Sequence, residues 1–452
     1  MYVVIVGAGK VGSALVHDIS LEGHDVTVID INQKVIDHMQ TINDVGIVHG
    51  NGACCSVQEE AEAYRADLVI AVTASDEVNI LCCMVSRRLG AKNTVARVRN
   101  PEYLAQMSFM SEQFGISMLI NPENETANEI VKMLSFPAAM KIDSFAKGHV
   151  EMAEIRLGSS NPYNGKTIRD AVAQIGLKLL ICAVTRGSEV FIPNGEFVLE
   201  AGDRLHVTAS RSVLIGLVRR FGSSAKNTKI KNVMIVGGGR VGYYLAMQLG
   251  QSGVNVKIIE ADEVRCELLS DSLPKAQVIF GDGTDEEVLL EQGINNQDAF
   301  VSLTGIDEEN VIISMYANTQ KVEKVVCKVN RLSSEMLGTI GIDSVVSPKN
   351  LVTNKILRYV RAINNDEGNG IQTLYKFSDG KFEALEFIVD DGFEEVGVTL
   401  KDMHIKKDIL IACIIRNGKV IFPTGADVLE AGDSVIVVTT ISQLDNLYDI
   451  LA

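Results

Sequence analysis

Gly7-Ala8-Gly9-Lys10-Val11-Gly12, reached directly from the apolar run Tyr2-Val3-Val4-Ile5-Val6, returns 230 residues later as Gly237-Gly238-Gly239-Arg240-Val241-Gly242. A G-x-G-x-x-G alone is a weak signal. Here each copy follows an apolar strand, precedes apolar residues at helical spacing, and has an acid 23 residues after its first glycine, Asp30 and Glu260. In such a loop the first glycine permits the tight turn, the second lets backbone approach a pyrophosphate, and the third lets helix and strand pack closely. The helix that follows presents free amides and a partial positive charge to a phosphate.

Outward from the loops the duplication continues. Gly50-Asn51-Gly52 recurs as Gly281-Asp282-Gly283, and Thr73-Ala74-Ser75-Asp76-Glu77-Val78-Asn79 recurs as Thr304-Gly305-Ile306-Asp307-Glu308-Glu309-Asn310. Leu199-Glu200-Ala201-Gly202-Asp203 matches Leu429-Glu430-Ala431-Gly432-Asp433. Nearly the whole chain is one unit written twice, which must be settled before any fold is assigned.

Each unit has an internal seam. Strand candidates at residues 2–6, 25–29, 45–48, 67–73 and 94–98 alternate with helical patterns, an order that implies a parallel sheet with helices on both faces. Beyond Pro122 a helix over 125–134 leads into period-two runs at 151–157, 177–185 and 204–209, bounded by glycine and proline turns. The fold class expected is α/β: two Rossmann-like, doubly wound parallel-sheet domains, each followed by a small α+β domain, in the order A-B-A-B. The boundaries expected are 1–135, 136–222, 231–362 and 363–452, with Gly222-Ser223-Ser224-Ala225-Lys226-Asn227-Thr228-Lys229 as linker. Within the small domains, Gly165-Lys166-Thr167-Ile168-Arg169-Asp170 and Gly397-Val398-Thr399-Leu400-Lys401-Asp402 both read as the start of a helix under a small sheet.

Composition narrows the function. The chain has 452 residues, 46% hydrophobic, and a formal net charge of -16, which repels a nucleic-acid backbone. The N-terminus enters a strand at once, without a basic leader, and no run approaches 18 apolar residues, so a cytoplasmic protein is expected. Eight cysteines, including Cys54-Cys55 and Cys82-Cys83, lack zinc-site spacing and read as reduced and mostly buried. No metal site is expected.

The chemistry is expected in the A domains. Asp30 and Glu260, ending the second strands, are placed to accept hydrogen bonds from a ribose and to repel a 2′-phosphate, favouring NAD(H) or adenosine nucleotides over NADP(H). Lys10 and Arg240 are candidates for a β- or γ-phosphate of ATP or ADP; the alternative is a solvated cation at a helix start. Asn51 and Asp282 are candidates for the adenine edge, and Thr73, Ala74 and Thr304 for phosphate or ribose in the crevice. Arg97 and Lys328 are candidates for a distal phosphate, or else surface ion pairs. Thr284-Asp285-Glu286-Glu287 has the form of a capping box rather than a metal site. The B domains carry only turn and cap features and read as packing or regulatory domains. Beside the loops no His-Asp or Lys-Tyr pairing, nucleophile motif or metal cluster recurs, so a non-enzymatic nucleotide binder is expected. The rival reading is an NAD-dependent oxidoreductase whose catalytic residues are not visible.

On the doubled G-x-G-x-x-G, the G-[DN]-G turn, the T-x-x-D-E-x-N segment and the L-E-A-G-D turns, the chain closely resembles the TrkA family, peripheral subunits of Trk-type potassium uptake systems built from two tandem RCK (KTN) units. The resemblance covers residues 1–452. It implies binding of NAD(H), ATP or ADP by the A domains, a homo-oligomeric ring, a tetramer in the family's manner, on the cytoplasmic face of the cell membrane, and a TrkH- or TrkG-type membrane subunit as partner. The helices after Asn121-Pro122 and Ser347-Pro348, at 125–134 and 349–360, are then hinge or subunit-contact elements, or else core helices. Asn51 departs from the acid usual in that turn, whereas Asp282 keeps it, so the two sites are expected to differ.

Overall fold

The computed structural model describes residues 1–42, 45–104, 106–135, 141–145, 150–210, 213–214, 216–217, 230–332, 334–342, 344–364, 373–377, 381–441, 444 and 446–452. The expected linker at 222–229 lies outside them.

The first half opens with β1 (Tyr2–Val6), α1 (Lys10–Leu21), β2 (Asp25–Asp30), α2 (Gln33–Ile42), β3 (Gly46–His49), α3 (Cys55–Glu60), β4 (Leu68–Ala71), α4 (Asp76–Leu89) and β5 (Asn93–Arg97). It continues with α5 (Pro101–Leu104), α6 (Met107–Phe114), β6 (Met118–Ile120) and α7 (Pro122–Ser135). The strands form one parallel sheet in the order β3-β2-β1-β4-β5-β6, the doubly wound order with its switch point between β1 and β4. Val3, Val4, Ile5 and Val6 are all buried, which is why β1 reads as an unbroken apolar run: helices cover both faces of a parallel sheet. The sequence pattern did not announce β6, because three residues are too few for a period to show.

The next elements are β7 (Lys141–Phe145), β8 (Val150–Arg156), α8 (Ile168–Ile175), β9 (Leu179–Arg186), β10 (Glu189–Phe191) and β11 (Arg204–Ala209), an antiparallel sheet ordered β10-β9-β11-β8-β7. The second half repeats the plan. Its parallel sheet runs β14-β13-β12-β15-β16-β17, from β12 (Asn232–Val236), β13 (Asn255–Glu260), β14 (Ala276–Phe280), β15 (Ala299–Ser302), β16 (Lys324–Lys328) and β17 (Val345–Val346). The helices between are α9 (Arg240–Gln251), α10 (Glu263–Ser272), α11 (Glu286–Glu291), α12 (Asp307–Thr319) and α13 (Ser334–Thr339), with α14 (Pro348–Asn364) after β17. The last sheet is β18-β19-β22-β20-β21, from β18 (Thr373–Phe377), β19 (Phe382–Ile388), β20 (Ile409–Arg416), β21 (Lys419–Ile421) and β22 (Ser434–Thr439).

Contacts divide the chain into two compact units, Met1–Ala127 with Ser347–Val360, and Asn128–Val346 with Arg361–Ala452. In the first unit α14 rests on the opening parallel sheet's domain: Lys355 pairs with Glu125 at 2.6 Å and Tyr359 donates to Asn93 Oδ1 at 3.4 Å. In the second unit the two small sheets share a core. Met152 and Cys182 pack with Phe382, Ala384, Ala412 and Val438, while Ala153 and Ile181 face the other way, towards Ala171 and Ile175 of α8. Strand alternation thus gives each small sheet two buried faces.

The repeated L-E-A-G-D turn has a structural cause. Asp203, 1% exposed, accepts two bonds from Arg186, both at 2.8 Å, and one from the Glu200 amide at 2.8 Å. Arg416 and Asp433 reproduce the fork at 2.9 and 2.8 Å. One expectation fails here. Gly165 leads into helix α8, but Gly397-Val398-Thr399-Leu400-Lys401-Asp402 leads only into turns. Between the cap threonine and the next strand the second copy, Thr399 to Ile409, is two residues shorter than Thr167 to Leu179, and it lacks the Ala171, Val172 and Ile175 spacing that buries one helix face.

Candidate functional site

Both glycine loops stand at the carboxyl ends of the central strands, beside the switch point. Gly7 has φ +96° and Gly237 φ +103°, a region that only glycine enters without strain. A Cβ at Gly12 would lie 1.9 Å from the Gly7 carbonyl oxygen, and one at Gly242 2.3 Å from that of Gly237, so the third glycines let α1 and α9 start against the turn. A Cβ at Gly9 or Gly239 would meet nothing within 4 Å. That open space, above helix starts that have no side-chain cap, is where a pyrophosphate fits.

The acids are tied to the loops. Asp30 accepts the Ala8 amide at 2.7 Å and the Asn32 amide at 2.8 Å; Glu260 accepts Gly238 at 2.6 Å and Asp262 at 3.0 Å. Each carboxylate oxygen keeps a further lone pair for a ribose hydroxyl. Lys10 and Arg240 are exposed on the first helical turns, and Val11 and Val241 lie half-buried behind them.

The T-x-x-D-E-x-N segment forms the other wall. Asn79, fully buried, accepts from the Thr73 amide at 2.7 Å and donates to the Arg97 carbonyl at 2.9 Å; Asn310 does the same for Thr304 at 2.8 Å and Lys328 at 3.1 Å. Each asparagine therefore laces the end of one strand to the end of the next. Asp76 accepts the amides of Arg99 and Asn100, both at 2.8 Å, and Asp307 those of Asn330 and Arg331, both at 2.8 Å. Burial alone would raise the Asp307 carboxyl, but these donors, joined by the Asn330 side chain, outweigh it and hold the group below its ordinary value. The Arg97 guanidinium donates to the Thr73 carbonyl, that of Arg99 to the Ala74 carbonyl, and Lys328 Nζ to Leu303 O at 3.4 Å. Both cations thus lie against the backbone that follows β4 and β15.

The third wall differs between copies. Asn51 Oδ1 accepts the Ala53 amide at 3.0 Å, whereas Asp282 Oδ1 accepts both the amide and the hydroxyl of Thr284, at 2.8 and 2.7 Å, which lowers its carboxyl below the usual range. Buried Gln58 donates to the Gly52 carbonyl at 2.6 Å; Leu289 stands in its place in the second copy. Asp285 caps α11 through the Glu287 amide at 2.9 Å, so the acids of that segment serve a helix start. Sequence reasoning singled out the repeated segment but assigned no part to Asp76, Asn79, Asp307 or Asn310, although their recurrence was the available signal.

Among the described residues no group of three or more His, Cys, Asp or Glu is placed to hold a metal ion, and no helix is long and apolar enough to cross a membrane.

Two glycine-loop crevices on duplicated doubly wound sheets, each followed by a small antiparallel sheet, define a tandem-repeat protein of Rossmann-like domains. The TrkA-N domain matches residues 3–122 and 233–348, and the TrkA-C domain residues 152–222 and 385–452. The Trk system potassium uptake protein TrkA homolog of Archaeoglobus fulgidus is 30% identical over 451 residues, covering 100% of both chains. The Trk system potassium uptake protein TrkA of Haemophilus influenzae is 29% identical over 97% of this chain and 95% of its own. The chain belongs to the TrkA family of Trk system potassium uptake proteins, a transport family and not an enzyme family. Among solved structures, the GsuK RCK domain shares the fold at a TM-score of 0.62 and 19% identity, covering 97% of this chain and 92% of its own. The GsuK channel bound to NAD has a TM-score of 0.61 at 19% identity, covering 97% of this chain and 76% of its own.

Proposed function

We propose that this chain is the cytoplasmic, peripheral regulatory subunit of a Trk-type potassium uptake system, gating a TrkH- or TrkG-type membrane subunit according to which nucleotide occupies its two crevices. The observation that carries the reading is the acid-clamped glycine loop present twice on a chain of this family. The ligands proposed are NAD(H), with ATP or ADP as alternatives, held at Gly7–Gly12 with Asp30 and at Gly237–Gly242 with Glu260. Asn51, Thr73, Ala74 and Arg97, and Asp282, Thr304 and Lys328, line the two crevices. The domains proposed are 1–135, 136–222, 231–362 and 363–452.

Assembly into a ring of identical subunits is supported by matched apolar side chains on equivalent helices. Leu81 and Met84 on α4 are 47% and 38% exposed, and Ile312 and Met315 on α12 are 66% and 42% exposed. Two exposed apolar pairs recurring 231 positions apart on equivalent helices suit a second copy of the chain. For gating, each nucleotide must bind one ring conformation more tightly than another; a tenfold preference amounts to about 1.4 kcal/mol per site, and several sites multiply it.

Calorimetric titration of the purified protein with NADH, NAD, ATP and ADP tests the reading, together with sedimentation alongside membranes that contain or lack the translocating subunit. Two sites per chain of unequal affinity, and membrane recovery only with that subunit, are expected. Turnover of NAD(H) with a substrate would favour an oxidoreductase, and nucleotide binding without membrane recovery would leave a soluble binding protein.

A further inference from the structure

The two glycine loops are gripped by different residues. In the second copy Arg265, on the first turn of α10, donates its Nε–H to the Gly238 carbonyl at 2.8 Å, while Glu260 accepts the Gly238 amide at 2.6 Å. One residue of the loop is therefore held at both its amide and its carbonyl. In the first copy Asp30 holds the Ala8 amide at 2.7 Å and the uncharged Ser13 hydroxyl, from α1, donates to the Ala8 carbonyl at 2.7 Å, while the position 230 residues before Arg265 is Val35, a side chain with no donor. The loops also sit differently: a Cβ at Gly238 would come within 2.4 Å of Leu269 Cδ1 and 3.1 Å of Glu260 Oε2, whereas Ala8 carries its Cβ in the equivalent place.

Arg265 thus stands between the glycine loop and the end of β13, on the side of the crevice where folds of this strand order lodge the adenosine half of a nucleotide. Its guanidinium has five N–H donors in one plane, of which the Gly238 carbonyl takes one. The remaining donors suit phosphate oxygens, and the planar face suits an aromatic base, where a stacked guanidinium gains cation–π attraction. Because the residue is half-buried, its charge is less screened than that of the exposed Lys10 or Arg240.

We infer that Arg265 is a specificity-determining residue of the second site, forming a cationic wall against the adenosine-diphosphate moiety, and that Val35 leaves the first site without one. The inference rests on the nucleotide reading above and assigns the inequality of the two sites to one position in each copy. The second site binds ADP more tightly than the first, and its affinity falls more steeply with salt.

ADP titration of the full-length protein at low and high salt tests this. Glu260→Ala and Asp30→Ala serve as backgrounds in which the first and the second site, respectively, is read alone. Arg265→Val is expected to weaken second-site ADP binding about tenfold, equivalent to about 1.4 kcal/mol, and to flatten its salt dependence, while first-site binding, unchanged, shows that the protein is folded. Arg265→Gln, which can still donate to the Gly238 carbonyl, is expected to behave like Arg265→Val, and Arg265→Lys to recover only part of the affinity. Val35→Arg, which leaves the second copy untouched, is expected to steepen the salt dependence of the first site.

Wild-type affinity in Arg265→Gln would mean that the side chain only braces the loop and would overturn the inference. Unchanged second-site binding in Arg265→Val would overturn it too, while the loss of a site in Glu260→Ala keeps the nucleotide reading intact. A wild-type protein that binds ADP at neither site would overturn both. If Arg265→Val does not fold, Val35→Arg decides: a first site whose salt dependence is unchanged sinks the inference.

Discussion

Gly12 approaches Gly7 so closely that a Cβ at position 12 would sit 1.9 Å from the Gly7 carbonyl oxygen. The helix proposed to present its amides to a phosphate therefore begins in contact with the turn before it, and both depend on the missing side chain. Gly12→Ala, and Gly242→Ala in the second copy, force the turn and helix apart. Each is expected to cost about 1–3 kcal/mol of stability, as overpacking does, and to abolish binding at its own site while sparing the other. Thermal unfolding with and without nucleotide checks both effects.

Asp30→Ala and Glu260→Ala remove the acids that brace the loops and are proposed to hold the ribose. Each is expected to weaken binding about tenfold or more at its own site, in line with the loss of a charge-assisted hydrogen bond. Calorimetry resolves the two sites by stoichiometry. If both variants bind as tightly as the parent, the ribose role is wrong.

Asn79→Ala leaves the Thr73 amide and the Arg97 carbonyl stranded beside a buried hole. A cost of about 1–3 kcal/mol for each stranded group is expected, read as a lower thermal midpoint. Asn79→Asp should not rescue it, because an ionised carboxylate cannot donate to the Arg97 carbonyl that Asn79 bonds at 2.9 Å.

Asp307 sets an acid limb on stability. Its carboxyl is held below its ordinary value in the folded state, so its contribution is fully present above the unfolded carboxylate value and drains away as pH falls through the folded one. Asp307→Asn is expected to lower the thermal midpoint near neutral pH and to shrink the gap from wild type as the solution is acidified towards about pH 3. A gap that stays constant with pH would show that the carboxylate's charge contributes nothing.

The thiols should divide into two classes. Cys54 and Cys55 are exposed and the other six are buried, with burial pushing Cys82, Cys182 and Cys413 up to about 12. Since the thiolate is the nucleophile, alkylation of native protein should modify Cys54 and Cys55 and reach the remaining six only after unfolding. Mass spectrometry of the labelled peptides reads the result.

Much of the fold was legible along the chain because its signals are local. The glycine spacing, the acids at Asp30 and Glu260, the apolar β1 and β12 runs and their recurrence each depend on residues a few positions apart. The edge strands β6 and β17, of three and two residues, exist only because a neighbouring strand offers hydrogen bonds, and no period marks so short a run. In the second small domain the stretch from Thr399 to Ile409, two residues shorter than Thr167 to Leu179, forms turns instead of a helix, which the matching Gly-x-Thr start concealed.

The sequence by itself determined that this is a duplicated doubly wound protein with two phosphate-type loops, since turn geometry and strand and helix periods are properties of short stretches. Tertiary structure alone decided that α14 completes the first unit's core, that the two small sheets bury a common face, and that Arg186 and Asp203 meet across 17 residues. It alone decided that Asn79 laces β4 to β5 and that Arg265 reaches back to Gly238, while the Ser13 hydroxyl and not a cation holds the Ala8 carbonyl of the first copy. Those contacts join residues distant along the chain, and a hydrogen bond between them is formed only when packing elsewhere has already brought donor and acceptor within 3 Å.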